Sequence, residues 1–277
     1  MRMESLANGF DVTGQVAVIT GGAGVLCAEM AYALGGSGAK IVLLDIGEKG
    51  MAVVSEELGK RGIDHLAIKT DVMDKSSIQN AAKKTIDRFG RIDILINGAG
   101  GNKPAATTGP DKPFFDLPED AIKWVFDLNF MGTFLPCQVF GKIFSEQKSG
   151  NIINISSMNA FTPLTRIPGY SAAKAAVSNF TQWLAVHMSH HYSTDIRVNA
   201  IAPGFLLTDQ NRFLLTNEKD GSLTDRGQTI IDHTPVARFG DPKDLVSTVM
   251  WLTAPASKFV HGIVVPVDGG FSAFSGV

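Results

Sequence analysis

Tyr170 and Lys174, four positions apart, are the residues whose spacing most directly suggests proton chemistry. On a helix, side chains four apart lie on one face, one turn from each other. A free phenol has a pKa of about 10, and bringing that pKa near pH 7–8 takes about 3–4 kcal/mol. An ammonium ~4 Å away supplies about that much at an effective dielectric constant of ~20. The spacing therefore predicts that Lys174 alone can lower the pKa of the phenol.

A serine hydroxyl is a third candidate for the same site. Ser157 ends the apolar run that begins at Asn151, and it lies 13 positions before Tyr170. A strand, a loop and a returning helix can bring its hydroxyl beside the phenol. A tyrosine and a lysine at this spacing also occur on solvated helix faces, so the pair gains meaning only together with a ligand site elsewhere in the chain.

A glycine-rich turn near the N-terminus predicts such a ligand site. The apolar run Val16–Ile19 leads directly into Thr20-Gly-Gly-Ala-Gly24, and a helix is predicted from Val25 to about Leu34. This is the pattern of a buried parallel strand that enters a tight turn at a helix N-terminus. Backbone N–H groups and the helix dipole can bind a pyrophosphate there, as in dinucleotide-binding folds.

An acidic residue follows the second predicted strand. Lys40–Leu44 ends at Asp45, about 20 residues after the glycine turn, where a dinucleotide fold places the acid that binds the adenosine ribose diol. Because an acid repels a 2′-phosphate and no arginine follows, we predict NAD in preference to NADP. The alternative reading is an aspartate that caps the next helix.

Strands and helices alternate along most of the chain, which predicts an α/β, doubly wound parallel sheet. We expect one domain over residues 1–277, a long helix 119–145 that is interrupted or kinked near Pro136, and an edge position for the last strand, which contains Pro266. Polar residues and glycines in segment 208–233 break the alternation and predict a segment that covers the site.

Composition excludes several other classes of protein. The net charge of −2 gives no broad basic field for nucleic acid or membrane, and no signal-peptide core or ~20-residue apolar run is present, so we expect a soluble cytoplasmic protein. The two cysteines, Cys27 and Cys137, are predicted to be buried, reduced thiols. No metal site is expected, since His187, His190 and His191 lack acidic or cysteine partners and suit a helix C-terminus.

Taken together, the motifs resemble those of the short-chain dehydrogenase/reductase family. The matching motifs are Thr20-Gly21, Asp71, Asn97-Gly-Ala-Gly100, Asn129, Ser157, Tyr170, Lys174, Asn199 and Pro203-Gly204. The resemblance implies a Rossmann fold with a seven-stranded, mostly parallel sheet in the order 3-2-1-4-5-6-7, helices on both faces, and a homotetramer. One departure is that Gly24 stands one place early and Cys27 replaces the last glycine of the usual Gly-x-Gly, which leaves the path of the pyrophosphate loop open.

The resemblance also implies roles for individual residues. Tyr170 protonates the developing alkoxide, Ser157 bonds the same oxygen, Lys174 lowers the pKa of the phenol and bonds the nicotinamide ribose, and Asn129 holds a water. The implied cofactor-binding residues are Gly21, Ala23, Gly24, Val25, Leu26, Asp45, Ile46, Asp71, Val72, Asn97, Gly98, Ala99, Tyr170, Lys174, Pro203, Gly204 and Leu206.

More narrowly, Asn97–Lys103, Ser156–Phe161, Pro163–Pro168 and the tail 269–277 resemble the D-mannonate oxidoreductase (fructuronate reductase) branch. That branch interconverts D-fructuronate and D-mannonate with a nicotinamide cofactor. A sugar acid needs a cation and several polar groups, for which the sequence offers Asn102, Lys103, Ser157, Asn159, Arg166, Asn211 and Arg212. Arg166 is the first choice for the carboxylate, because a guanidinium can engage it bidentately.

Two classes of alternative function remain open at the level of sequence. The substrate can be another keto sugar, as in gluconate 5-dehydrogenases, or a 3-oxoacyl thioester. The fold can also serve as a non-catalytic dinucleotide sensor. Sensors on this fold commonly lose the tyrosine or the lysine, and this sequence has both Tyr170 and Lys174.

Overall fold

One seven-stranded parallel sheet is the centre of the protein. The structure is a computed structural model, and it describes residues 9–208, 211–217 and 220–276. Numbered β1 to β7 in chain order, the strands are Val16–Thr20, Lys40–Asp45, His65–Lys69, Ile94–Asn97, Gly150–Ile155, Ile196–Pro203 and Val264–Val267. Their order in the sheet is β3-β2-β1-β4-β5-β6-β7, and every pairing is parallel, which confirms the predicted Rossmann topology.

Helices cover both faces of this sheet. Numbered α1 to α8, they are Val25–Gly36, Glu48–Lys60, Lys75–Phe89, Glu119–Gln147, Pro168–His191, Arg212–Leu215, Asp225–Asp232 and Val246–Thr253. Buried residues of α1, α2 and α8 pack with Ala17 and Ile19 on one face. Buried residues of α3, α4 and α5 pack with Val16 and Val18 on the other. The side chains of β1 therefore alternate between two apolar layers, as expected for a strand covered on both sides.

Two proline expectations have different outcomes. Pro266 lies in β7, at the edge of the sheet, where a residue without an N–H breaks no ladder. The expected interruption at Pro136 is wrong, since α4 continues through this buried proline as one 29-residue helix. Tertiary packing of α4 against the sheet outweighs the local penalty. No helix of the described residues is long and apolar enough to cross a membrane.

The strand order reverses between β1 and β4, which lie side by side. Their last residues, Thr20 and Asn97, are register partners. The loops that follow these two strands therefore diverge from one point, and parallel sheets bind ligands in the crevice that opens there. The candidate functional site lies at this point.

Candidate active site

A cleft lies beyond the carboxyl ends of β1, β4, β5 and β6. It consists of two adjoining hollows of about 330 Å³ each, one extending to Asp45 and Asp71 and the other to Tyr170 and Lys174. The two hollows share the wall residues Gly21, Gly24, Gly98 and Gly100. All of the predicted cofactor-binding residues except Asn97 line one of them.

The glycine turn gives the cleft its floor. Gly21 has a φ of 66°, and a Cβ there would lie 2.8 Å from the backbone nitrogen of Ala99, so only glycine fits. Gly24 is the N-cap of α1 and supplies no side-chain cap, which leaves N–H groups of the first turn available to a ligand. Glycines at the close approach and an uncapped helix start fit the pyrophosphate of a dinucleotide.

Cys27 fills the position where the family pattern has its last glycine. Its sulfur lies 3.6 Å from the carbonyl oxygen of Thr20, and a Cβ built on Gly98 would lie only 2.1 Å from it. Burial raises the pKa of the Cys27 thiol to about 12, so the group is neutral. The cysteine therefore supports the turn by packing, and glycine at position 98 makes room for it. Both cysteines are buried, free thiols, as predicted.

The acidic end of the cleft is held by Asp45. One carboxylate oxygen accepts from the N–H of Ala23 at 3.0 Å and the other from the N–H of Gly47 at 2.8 Å. Asp45 thus fixes the glycine turn while it lines the hollow. The alternative, that Asp45 caps the next helix, is wrong, because the N-cap of α2 is Gly47. Asp71 lines the same hollow and accepts from the N–H of Met73 at 2.8 Å.

Asn97 turns its side chain away from the cleft. Its amide donates to Asn154 Oδ1 at 2.8 Å and to the sulfur of Cys137 at 3.1 Å, and Asn154 donates in turn to Thr181 on α5 at 2.9 Å. Asn97 therefore lines neither hollow, and its predicted contact with the cofactor stays a prediction. Its polar group instead ties β4 to β5 and to the helix that carries Tyr170. No local pattern indicates this network, because its members are far apart in the chain.

Ser157, Tyr170 and Lys174 meet in the second hollow. The Lys174 ammonium lies 5.6 Å from the centroid of the Tyr170 ring and donates to the carbonyl oxygen of Ile155 at 2.7 Å. The Ser157 hydroxyl interacts with the phenol of Tyr170 and acts to lower its pKa. The predicted helix, loop and strand thus bring the three groups together.

Burial controls the proton affinities of this pair. It raises the pKa of Tyr170 above 10, against the smaller opposite effect of Ser157, and it lowers the pKa of Lys174 from 10.5 to about 8. The expectation that Lys174 alone brings the phenol near pH 7–8 is wrong here, because burial has the largest effect on the pKa of Tyr170 and raises it. At neutral pH the phenol is protonated and can donate a proton.

Asn129 is a positioning residue. Its buried amide donates to the carbonyl oxygens of Val125 and Gly101, at 2.7 Å each, and accepts from the N–H of Gly101 at 3.1 Å. Both N–H groups are therefore used by protein. A Cβ on Gly100 would lie 2.6 Å from Asn129 Oδ1 and 3.3 Å from Lys174 Nζ, so the Gly100–Gly101 turn lies directly against the lysine.

The predicted substrate residues divide into two groups. Ser157 and Asn211 line the second hollow, and buried Asn159 bonds the Ser157 hydroxyl at 3.3 Å. Asn102, Lys103, Arg166 and Arg212 do not line it.

Three of these four have identifiable surroundings. Asn102 donates to Thr107 at 2.8 Å, and the Lys103 ammonium lies 4.7 Å from the ring centroid of Trp124. The ammonium of Lys103, which was predicted to bind the substrate, therefore makes a cation–π contact with Trp124. Arg212 is exposed at the start of α6.

The segment predicted to cover the site, 208–233, contributes Thr208 and Asn211 to the cleft wall. Its residues 209–210 and 218–219 lie outside the described part of the chain. Sequence reasoning missed two members of this region, Phe205 in the cleft wall and Arg226 on α7, whose charge interacts with that of Arg166.

The three histidines of α5 do not form a metal site in the described residues, where no group of three potential ligands converges. The ring of His187 instead stacks on Trp183 with centroids 4.7 Å apart.

Comparison with known proteins agrees with this geometry. The family model for short chain dehydrogenases matches residues 15–219. An uncharacterised oxidoreductase of Bacillus subtilis, UxuB, is 49% identical over 96% of this chain and 98% of its own length. A 2-dehydro-3-deoxy-D-gluconate 5-dehydrogenase of Dickeya dadantii is 34% identical over 97% of this chain and 99% of its own.

A solved structure from Haemophilus influenza, described as a candidate D-mannonate oxidoreductase with bound NAD, superposes with a TM-score of 0.90. It is 45% identical and covers 98% of this chain and 100% of its own. The sheet order, the glycine turn and the serine, tyrosine and lysine in the cleft fit what these matches indicate. The chain belongs to the short-chain dehydrogenase family.

Proposed function

We propose that this protein is an NAD(H)-dependent oxidoreductase that interconverts a keto sugar acid and its hydroxy form, specifically D-fructuronate and D-mannonate. The observation that carries the proposal is the cleft itself. One end holds the buried side chains of Ser157 and Lys174 with the half-buried Tyr170, and the other end holds the carboxylate of Asp45. The structure with bound NAD that is 45% identical supports both the cofactor and the substrate class.

The residues of the cleft can perform the proton transfer of this reaction. The bound nicotinamide supplies or accepts the hydride. In the direction of reduction, the protonated phenol of Tyr170 donates its proton to the substrate oxygen, and the Ser157 hydroxyl bonds the same oxygen. Lys174, next to the phenol, stabilises the negative charge that develops when the proton leaves. The Gly100–Gly101 turn, which Asn129 binds, lies against the lysine on the other side.

The preference for NAD over NADP rests on Asp45. Its carboxylate lines the hollow at the end of β2, where the adenosine ribose binds in dinucleotide folds. A 2′-phosphate placed there meets a like charge, whereas the diol of NAD can donate hydrogen bonds to it.

Substrate assays and a Tyr170→Phe variant test the proposal. Oxidation of NADH by the wild-type protein is followed by its absorbance with D-fructuronate, 5-ketogluconate and a 3-oxoacyl thioester, and D-fructuronate should have the highest kcat/KM. Removal of a general acid lowers turnover by about 10²–10⁴-fold, so we expect at least that loss in Tyr170→Phe, with the Kd for NADH within about threefold of wild type. Tyr192→Phe, an exposed tyrosine at the far end of α5, is the matched control.

The outcomes separate the alternatives. If Tyr170→Phe keeps more than a tenth of the activity, the assignment of the acid is wrong. Preference for 5-ketogluconate would move the protein to the gluconate 5-dehydrogenase type. Tight NADH binding without turnover of any carbonyl compound would favour the dinucleotide sensor.

We also propose that the protein is a cytoplasmic homotetramer. The cytoplasmic location rests on the sequence alone. The assembly is supported by the outer face of α5, where Trp183 and Val186 are each more than half exposed. Trp183 continues a row of rings formed by Phe130, Phe134 and Phe180. Sedimentation velocity measures the assembly directly.

A further inference from the structure

A third hollow, of about 220 Å³, adjoins the substrate end of the cleft. It shares two wall residues, Phe205 and Leu206, with the second hollow, which holds Tyr170 and Lys174. Leu206 is buried and packs in the apolar core, whereas Phe205 is only half-buried. Phe205 is therefore the part of this shared wall that has room to move.

Hydrogen bonds fix the main chain of the loop that carries Phe205. The N–H of Gly240 donates to the carbonyl oxygen of Phe205 at 2.9 Å, and the N–H of Leu207 donates to the carbonyl oxygen of Gly240 at 2.8 Å. The side-chain amide of Asn211 donates to the carbonyl oxygen of Leu206 at 2.8 Å. These bonds hold the backbone, and the position of the Phe205 ring is left to its side-chain contacts.

The ring of Phe205 is met by the tail, residues 268–276. Phe271 of the tail lies edge-to-face against it, with ring centroids 5.2 Å apart and an interplanar angle of 68°. Phe271 is half-buried, and its ring centroid lies 6.4 Å from that of His233, at the end of the covering segment. Edge-to-face ring pairs are favourable beyond the area that they bury. One tail residue therefore joins the cleft wall to the covering segment.

The tail is anchored where it leaves β7. The carboxylate of Asp268 accepts from the N–H groups of Gly270 and Ser272 at 2.9 Å each, and from the hydroxyl of Ser272. The N–H of Gly204 donates to the carbonyl oxygen of Val267 at 3.0 Å, and a Cβ on Gly204 would lie 2.6 Å from the Cα of Asp268. The tail is therefore in direct contact with the loop that follows β6, and the ring that it carries has a fixed base.

We propose that Phe205 sets the size of the substrate end of the cleft, and that Phe271 of the tail is the positioning residue that holds it there. Phe205 closes the wall between the second and third hollows, so its side chain limits the length of the substrate. If it moved aside, about 220 Å³ would join the cleft. The inference rests on the proposed function and deepens it, because it assigns the selection of a compact sugar acid over a long acyl chain to one ring.

A substrate ratio tests both residues. The measured quantity is kcat/KM for a 3-oxoacyl thioester divided by kcat/KM for D-fructuronate. One methylene in an apolar pocket changes selectivity by about 10- to 200-fold, so Phe205→Ala should raise the ratio at least about tenfold, with KM changing more than kcat. Phe271→Ala should raise the ratio by a smaller factor. Phe271→Tyr, which keeps the ring, should restore the wild-type ratio.

A double variant separates positioning from stability. Phe271→Ala should also lower the melting temperature, as the loss of any packed ring would. Because Phe271 acts through Phe205, adding Phe271→Ala to Phe205→Ala should leave the ratio within about twofold of the Phe205→Ala value. Phe274→Ala is the matched control and should keep the wild-type ratio, since this ring of the same tail lies against His233, with centroids 6.3 Å apart. Circular dichroism verifies that the variants are folded.

A second measurement does not depend on turnover. Crystal structures of the wild-type protein and of Phe271→Ala, in one crystal form, show the Phe205 ring directly. We expect the ring to move toward the space that Phe271 leaves. A Phe205 ring that keeps its wild-type position in Phe271→Ala overturns the positioning role of the tail.

The results distinguish this inference from the proposed function. Turnover of D-fructuronate with a ratio in Phe205→Ala within about twofold of wild type overturns the role of Phe205 and leaves the function standing. Preference of the wild-type protein for 5-ketogluconate overturns the proposed substrate, and the ratio is then taken against that compound and tests the same wall. Absence of turnover of any carbonyl compound overturns the function and the role of Phe205 together.

Discussion

Replacing Lys174 with methionine separates what the buried ammonium does for catalysis from what it costs the fold. Lys174 is only 4% exposed, and the lowering of its pKa from 10.5 to about 8 corresponds to about 3 kcal/mol against the charged form. Its ammonium also donates to Ile155, and loss of that donor costs about 1–3 kcal/mol. We therefore expect Lys174→Met to be inactive and yet as stable as wild type at pH 7, or more stable by up to about 2 kcal/mol.

The pH dependence gives this prediction its sign. Because the pKa of Lys174 is lower in the folded protein than in the unfolded chain, the unfolded chain binds more protons between about pH 8 and 10.5. The contribution of this group to stability therefore rises with pH across that window. Between pH 7 and about pH 9.5, the free energy of unfolding of the wild-type protein should rise by about 2 kcal/mol relative to that of the variant, since methionine does not titrate.

Other buried groups act in the opposite direction. Burial raises the pKa values of Cys27, Cys137 and Tyr170, so the folded protein loses stability as the pH rises through the values of the unfolded chain. Wild type and variant share these groups, so most of their effect cancels in the difference between the two proteins; the exception is the part of the Cys27 pKa that the charge of Lys174 lowers. Only that difference, and not the stability of either protein alone, reports on the lysine.

Urea unfolding followed by tryptophan fluorescence at about pH 7, 8.5 and 9.5 measures the difference. Lys84→Met is the matched control, because Lys84 is exposed on α3 and reports the effect of removing a lysine outside the site. A flat difference between wild type and Lys174→Met would refute the reasoning, as would a difference that moves in favour of the variant. Loss of about 3 kcal/mol or more at pH 7 would show that the ammonium stabilises the fold.

Two further predictions concern packing and buried charge. Gly98→Ala should destabilise the protein by about 1–3 kcal/mol in urea unfolding and weaken NADH binding, because its Cβ would lie 2.1 Å from the sulfur of Cys27. Gly36→Ala is the control. A Cβ at position 36 has no atom within 4 Å, so this change should be neutral or stabilising. Arg197→Met should cost about 1–3 kcal/mol in the same assay, because the buried guanidinium donates to the carbonyl oxygens of Leu252 and Ala254 at the end of α8.

Local signals explain why much of the fold was predictable. Local residues set both ends of helix α3, because Asp74 caps its first turn and Gly90, with a φ of 78°, ends it. Helix α5 likewise begins at Pro168, which suits the first turn. Each of these signals lies within a few residues of the boundary that it specifies. The same is true of the glycine turn and of the tyrosine and lysine on one helix face.

Properties that depend on distant residues were not predictable in the same way. The spacing of Tyr170 and Lys174 predicts their common helix face, but the direction in which the pKa of the phenol moves depends on burial by the whole fold. The motif around Asn97 predicts a cofactor contact, whereas the partners of its side chain are 40 and 57 positions away.

Cofactor preference and the shape of the glycine turn are coupled through one carboxylate. Asp45 accepts from the N–H groups of Ala23 and Gly47, and it is the group that we propose to bind the adenosine ribose. A substitution that removes the negative charge to admit a 2′-phosphate also removes the acceptors that hold Ala23 in place. An asparagine keeps one acceptor oxygen, whereas an alanine keeps none. A variant that accepts NADP at this site must therefore supply a new hydrogen-bond acceptor for the N–H of Ala23 as well as a cation for the 2′-phosphate.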